Sequence, residues 1–139
     1  MKLNTMAAVM TQISKLELES AALYEELAEK FSGPSELFAT WAKENKRQEK
    51  NIKQTYYGVI TDTLESNYAF EGLDTSDFDF DMSIPSHEAE AKAKALTLEK
   101  AIQAFYLKAA ALSEGLMADV PRILKRTAAK RGERLEELS

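Results

Sequence analysis

The sequence predicts an all-α protein of four helices, arranged as two helical hairpins joined by one long connection. Three observations lead there. The word Glu17-Leu18-Glu19-Ser20-Ala21-Ala22-Leu23-Tyr24 returns 82 residues later as Glu99-Lys100-Ala101-Ile102-Gln103-Ala104-Phe105-Tyr106, each time on an apolar stripe of helical period. A second word repeats at an offset of 86, with Phe38, Trp41, Ala42, Asn45, Gln48 and Ile52 lying over Leu124, Thr127, Ala128, Arg131, Arg134 and Leu138. Between the two halves, residues 67–85 lose the period altogether. Each hairpin therefore sends polar side chains from its apolar face into its own core. Buried polar groups are costly unless partnered, so what fills positions 17, 45, 48, 99, 131 and 134 is the functional question.

Met6, Met10, Ile13, Leu16, Leu23 and Leu27 keep helical spacing until Gly33-Pro34 stops it, which sets the first helix at 4–31. Ser35 is the expected N-cap of a second helix over 35–66, which carries Leu37, Phe38, Trp41, Ile52, Tyr56, Val59 and Leu64, with Gly58 a place for a local kink. The stretch 67–85 holds Gly72, four aspartates and three phenylalanines. It is too long for a tight turn and suits a crossover along the length of a bundle, pinned by its phenylalanines. Ser86 is the expected cap of a third helix over 86–114, rich in alanine and leucine and stopped at Gly115, with fraying allowed through Met117 and Ala118. Asp119-Val120-Pro121 opens the fourth, 119–138, because an acidic cap and a proline in the first turn both suit a helix N-terminus. Ile123, Leu124, Leu135 and Leu138 supply its apolar face.

A chain of 139 residues with 45% hydrophobic and 29% charged content is the size of one domain with a sizeable core, taken as 1–139. The net charge of −5 argues against a large nucleic-acid or anionic-membrane footprint. With no cysteine, disulfides, thiolate nucleophiles, iron–sulfur sites and Cys-bound zinc are all excluded. The start, Met1-Lys2-Leu3-Asn4-Thr5, lacks the apolar core and cleavage site of a signal peptide, and no run approaches the ~18 apolar residues of a membrane span. The expected location is the cytoplasm.

Two hairpins, a long crossover after Tyr68-Ala69-Phe70 and a polar centre together resemble a rubrerythrin-like member of the ferritin-like superfamily, over nearly the full chain. The resemblance implies that helices one and three each give a glutamate from the Glu-x-x-small-x-x-apolar-Tyr word, while helices two and four each give Glu-x-x-His. Those six side chains would hold two iron or manganese ions for peroxide reduction, oxidase chemistry or iron handling. Here Glu17 and Glu99 match, but Asn45 and Gln48 stand in helix two, and Arg131 and Arg134 in helix four. Arginine offers donors only and keeps its charge, so it repels a dication. Four of the six ligands are thus replaced, and no cofactor is expected. The sole histidine, His87, stands too far along helix three from Glu99, at roughly 1.5 Å of rise per residue, to substitute.

Charge counting suggests the replacement. Four carboxylates would balance two dications, and Glu17 with Glu99 balances Arg131 with Arg134. The expectation is a Glu/Arg network, with Asn45 and Gln48 satisfying its remaining donors and acceptors. Solvent-directed arginines on a frayed last helix are the competing reading. Tyr24 and Tyr106 would stand beside the metals in iron relatives, and are read here as core residues with a satisfied hydroxyl. Trp41 and the methionines are core by spacing. Asp77, Asp79 and Asp81 lack the glycine and distal glutamate of a calcium loop and read as a solvated acidic stretch. The basic run Arg122, Lys125, Arg126, Lys130, Arg131 and Arg134 either attracts an acidic partner or pairs with Glu133, Glu136 and Glu137. Three functions remain open. The first is a non-catalytic assembly or binding bundle, the favoured reading. The second is an iron or manganese oxidoreductase with a metal site relocated to neighbours such as Glu19, Glu44, Glu49 and Glu133, although these lie about 100° or more around their helices. The third is a small-anion binder at the core arginines. A homo-oligomer, such as a dimer with aromatic contacts from an exposed Tyr56-Tyr57 region, is the expected assembly.

Overall fold

The computed structural model describes residues 5–63, 81–114 and 119–138, the side chains of 59–63 excepted. These residues are all-α, with α1 at Met6–Lys30, α2 at Ser35–Thr63, α3 at Glu88–Ser113 and α4 at Val120–Leu138. The first helix packs along the second and the third along the fourth; across the middle, α2 meets α4 and α1 meets α3. The four thus form a bundle with one buried centre. Most of the expected crossover, including its phenylalanines, Asp77 and Asp79, lies outside the described residues, as do Leu64, Gly115, Met117 and Ala118.

Periodicity explains α1 well. Met6, Met10, Ile13, Leu16, Leu23 and Leu27 are all buried, and the helix opens on Thr5, whose Oγ1 accepts from Ala8 N at 3.1 Å. Thr5→Ala is expected to cost about 1 kcal/mol, read as a small drop in urea midpoint with unchanged slope. The caps of α2 and α3 correct the sequence reading by one residue. Phe38 N donates to Pro34 O at 3.0 Å, so Pro34 rather than Ser35 caps α2. His87 rather than Ser86 caps α3, through its carbonyl, which accepts from Ala91 N at 3.0 Å, and without a side-chain bond. In both places the chain enters the helix one residue away from the serine, and a cap is defined by which carbonyl starts the ladder rather than by the best capping side chain nearby. Asp119 opens α4 from a left-handed conformation at φ 65°, and its carbonyl accepts from Ile123 N at 3.1 Å. Through Gly58, α2 runs without a break.

Residues 81–85 run against the bundle. Met82 and Ile84 pack on the core, Lys30 Nζ donates to Pro85 O at 2.8 Å, and Lys94 Nζ donates to Ser83 O. Asp81 is an exposed carboxylate accepting from Ser83 N at 2.9 Å, a contact that lowers its pKa. Gly132 gives α4 its close approach to α3. A Cβ there would stand 2.8 Å from Gln103 Nε2, which donates to the Ala128 carbonyl at 3.2 Å.

The two hairpins are not equally aromatic. Tyr24 stacks on Phe38 at 5.5 Å, and Trp41 meets both edge-on at 5.6 and 5.8 Å. The positions matching Phe38 and Trp41 in the second hairpin are Leu124 and Thr127. Thr127 Oγ1 is turned back to the Ile123 carbonyl at 2.9 Å. Tyr56 is buried at 4% exposure, so of the expected Tyr56-Tyr57 surface only Tyr57, at 54%, faces outward. Tyr56 lies on the inner stripe with Ile52, four residues earlier, while Tyr57 falls a further 100° around the helix.

Candidate functional site

Two carboxylates, two guanidiniums and two phenols meet at the bundle centre. Glu17 and Glu99 come from the repeated words on α1 and α3, and Arg131 and Arg134 from one face of α4, three residues apart. Glu17, Glu99 and Arg131 are 0% exposed, and Arg134 is 3% exposed. Arg131 lies between the two glutamates. Its Nη1 donates to Glu99 Oε1 and Oε2 at 2.8 and 2.6 Å, and its Nη2 donates to Glu17 Oε1. Arg134 Nη1 reaches the same Glu99 oxygens at 3.4 and 3.3 Å, while its guanidinium lies 5.1 Å from the Trp41 ring centroid.

The tyrosines cross over. Tyr24 donates to Glu99 Oε2, and Tyr106 donates to Glu17 Oε1 at 2.8 Å, so each repeat's phenol closes on the other repeat's glutamate. Burial first, then the facing glutamate, raises both phenols well above their ordinary pKa. They remain protonated donors. Burial presses Arg131 to lose its proton, but Glu17 and Glu99 outweigh that and its pKa is raised. Burial also raises the Glu17 pKa, against the opposing pull of Arg131 and the Tyr106 hydrogen bond.

Glu17 and Glu99 repeat in sequence but not in environment. Tyr24, Arg131 and Arg134 all donate to Glu99. On Glu17 both donors fall on Oε1, and the buried Oε2 has no partner. Helix two departs from expectation as well. Asn45 is fully buried, but its Nδ2 donates to Ser20 Oγ at 2.8 Å and not to either glutamate; its Oδ1 is unpartnered, as are Gln48 Oε1 and Arg131 Nε. The two amides therefore do not complete the charged network. The physical reason lies in Ser20, which spends its own proton on the Leu16 carbonyl at 2.6 Å and so offers its oxygen to Asn45 as an acceptor.

One member was missed in the sequence. Glu44 Oε2 accepts from Arg134 Nη2 at 3.1 Å, across the seam between α2 and α4. Its helical angle pointed away from the centre, and the length of the arginine side chain removes that objection. Ser20 was legible as a polar residue on the buried stripe of α1. The other acidic neighbours are dispersed: Glu49 accepts from Ser14 at 2.7 Å and pairs with Lys53 at 2.8 Å, and Glu19 and Glu133 are exposed.

In comparisons with known proteins, no family model, curated protein or solved structure matches the chain. The site is therefore read from its own chemistry. A dinuclear metal centre needs free carboxylate and imidazole lone pairs. Here a guanidinium occupies the space between Glu17 and Glu99, and among the described residues no three His, Cys, Asp or Glu side chains gather as a metal cage. The residues present do not fit such a centre. Nor are the core arginines open to an outside anion, since all four of their Nη atoms donate to Glu17, Glu99 or Glu44.

Proposed function

We propose that this chain is a non-catalytic, rubrerythrin-like member of the ferritin-like group, with its hairpins joined by a crossover and an Arg/Glu network standing where relatives hold two metal ions. Its role is then assembly or binding, through a bundle whose centre is structural. One observation carries the reading. The fully buried Arg131 guanidinium bridges Glu17 and Glu99, the two residues that the resemblance names as metal-holding carboxylates. A fixed guanidinium supplies between two carboxylates the positive charge that a metal would supply, without redox chemistry or an open coordination position.

Exposed Leu18, Tyr57 and Leu107, at 46%, 54% and 51%, support self-association. No helix among the described residues is long and apolar enough to cross a membrane. Metal loading tests the proposal. After incubation with Fe(II) or Mn(II), with and without oxygen, the natural chain is expected to retain far less than one ion per chain and to show no peroxidase or oxidase turnover. The combined variant Asn45→Glu, Gln48→His, Arg131→Glu and Arg134→His is expected to gain metal. One or two ions on the natural chain, lost in Glu17→Ala and Glu99→Ala, would overturn the reading.

A further inference from the structure

The seam between α2 and α4 opens into a cleft of about 200 Å³, outside the buried network but sharing Arg134 with it. Its floor is Trp41, Gln48 and Arg134, each at least nine-tenths buried. Arg134 is already committed to Glu99 and Glu44. Gln48 is not committed. Its side chain is 6% exposed and makes no hydrogen bond among the described residues; Oε1 is closed off from solvent, so Nε2 is the end that the cleft reaches. An unpaired N–H donor at the floor is open to an acceptor from outside the chain.

The rim has an unusual charge balance. Arg47 and Lys130 line the cleft as cations, Glu133 and Glu137 as anions, and none of the four forms an ion pair among the described residues. A ligand of one sign would satisfy half of this rim and leave the other half facing a charge it repels. A ligand carrying both signs meets all of it. The volume lies below the range for drug-sized ligands and suits a molecule of amino-acid size.

We propose that this cleft binds a small zwitterion, a free α-amino acid or a compound with the same ammonium and carboxylate pair. Arg47 and Lys130 take the carboxylate, Glu133 and Glu137 take the ammonium, and Gln48 Nε2 donates to the carboxylate at the floor. The inference rests on the seam and its free charges, not on kinship to metal-binding bundles, so one can fail while the other stands.

The test is an NMR titration of the ¹⁵N-labelled full chain with glycine and each common L-amino acid in turn, with acetate and methylamine as half-ligands. At least one amino acid is expected to give saturable shifts confined to 41–51 and 130–137, with a Kd below about 1 mM. Both half-ligands should bind at least about ten-fold more weakly. Arg47→Ala and Lys130→Ala change exposed residues and leave the bundle intact, and each should weaken binding about ten-fold; Gln48→Leu should abolish it. Absence of saturable shifts with every amino acid would overturn the proposal. So would acetate or methylamine matching the best amino acid, since the cleft would then be a simple anion or cation patch.

Discussion

Arg131→Met is expected to cost about 3–5 kcal/mol of folding stability, because it removes the one group that bridges two fully buried carboxylates and leaves both to face each other. Domains of this size have about 5–15 kcal/mol in total, so the variant should sit near the edge of unfolding at room temperature. Urea denaturation read by circular dichroism measures it, as a fall in midpoint at unchanged slope. Replacing Glu17, Glu99 and Arg131 together by leucine, leucine and methionine, with Tyr24 and Tyr106 replaced by phenylalanine so that no buried hydroxyl loses its acceptor, should recover most of the loss, since a buried ion cluster need not be more stable than a packed apolar one. The single variant should also improve as pH falls, because protonation is the escape left to an unpaired buried carboxylate. A midpoint equal to that of the natural chain would mean that the glutamates do not depend on this guanidinium.

The second large effect separates two glutamates that the repeat makes look equivalent. Glu99→Gln is expected to lose about 3–5 kcal/mol, since both arginines and Tyr24 direct donors at that carboxylate. Glu17→Gln should be neutral or stabilising at pH 7. A glutamine keeps an acceptor for Arg131 and Tyr106 and removes a charge that burial disfavours at this position. It also leaves Glu99 and Glu44 to balance Arg131 and Arg134, two charges against two.

The pH dependence has a definite sign. Burial raises the Glu17 pKa above 4.5, so the folded protein holds this proton more tightly than the unfolded chain. The associated stability is fully present below that value and is lost as pH rises through the raised one. The natural chain should therefore lose stability relative to Glu17→Gln on going from about pH 4 to 8. The two proteins should converge at the acid end. Equal damage from the two glutamine substitutions at neutral pH, or parallel pH profiles, would remove the asymmetry.

Much of this site was legible because it follows a repeat. The Glu-x-x-small-x-x-apolar-Tyr words fixed Glu17, Tyr24, Glu99 and Tyr106 on inward faces, and the offset of 86 put Arg131 and Arg134 opposite Asn45 and Gln48. Helical period is a local property, set by 3.6 residues per turn, and needs no partner to be read. Glu44 was not legible, since it joins through the reach of a long side chain from another helix. The inertness of Asn45 toward the glutamates was not legible either, because a competing acceptor, Ser20, depends on how α1 and α2 are set against each other.

By itself the sequence determined four helices, their apolar stripes and the inward direction of six polar residues, two of them arginines. Only the tertiary structure decided which donor met which acceptor: that Arg131 bridges both glutamates, that the tyrosines cross between repeats, and that Glu17 keeps a bare oxygen while Glu99 is saturated. Facing is set by backbone period along one chain, whereas hydrogen-bond pairing requires distances within about 3 Å between helices far apart in sequence, which only the packing of the bundle sets.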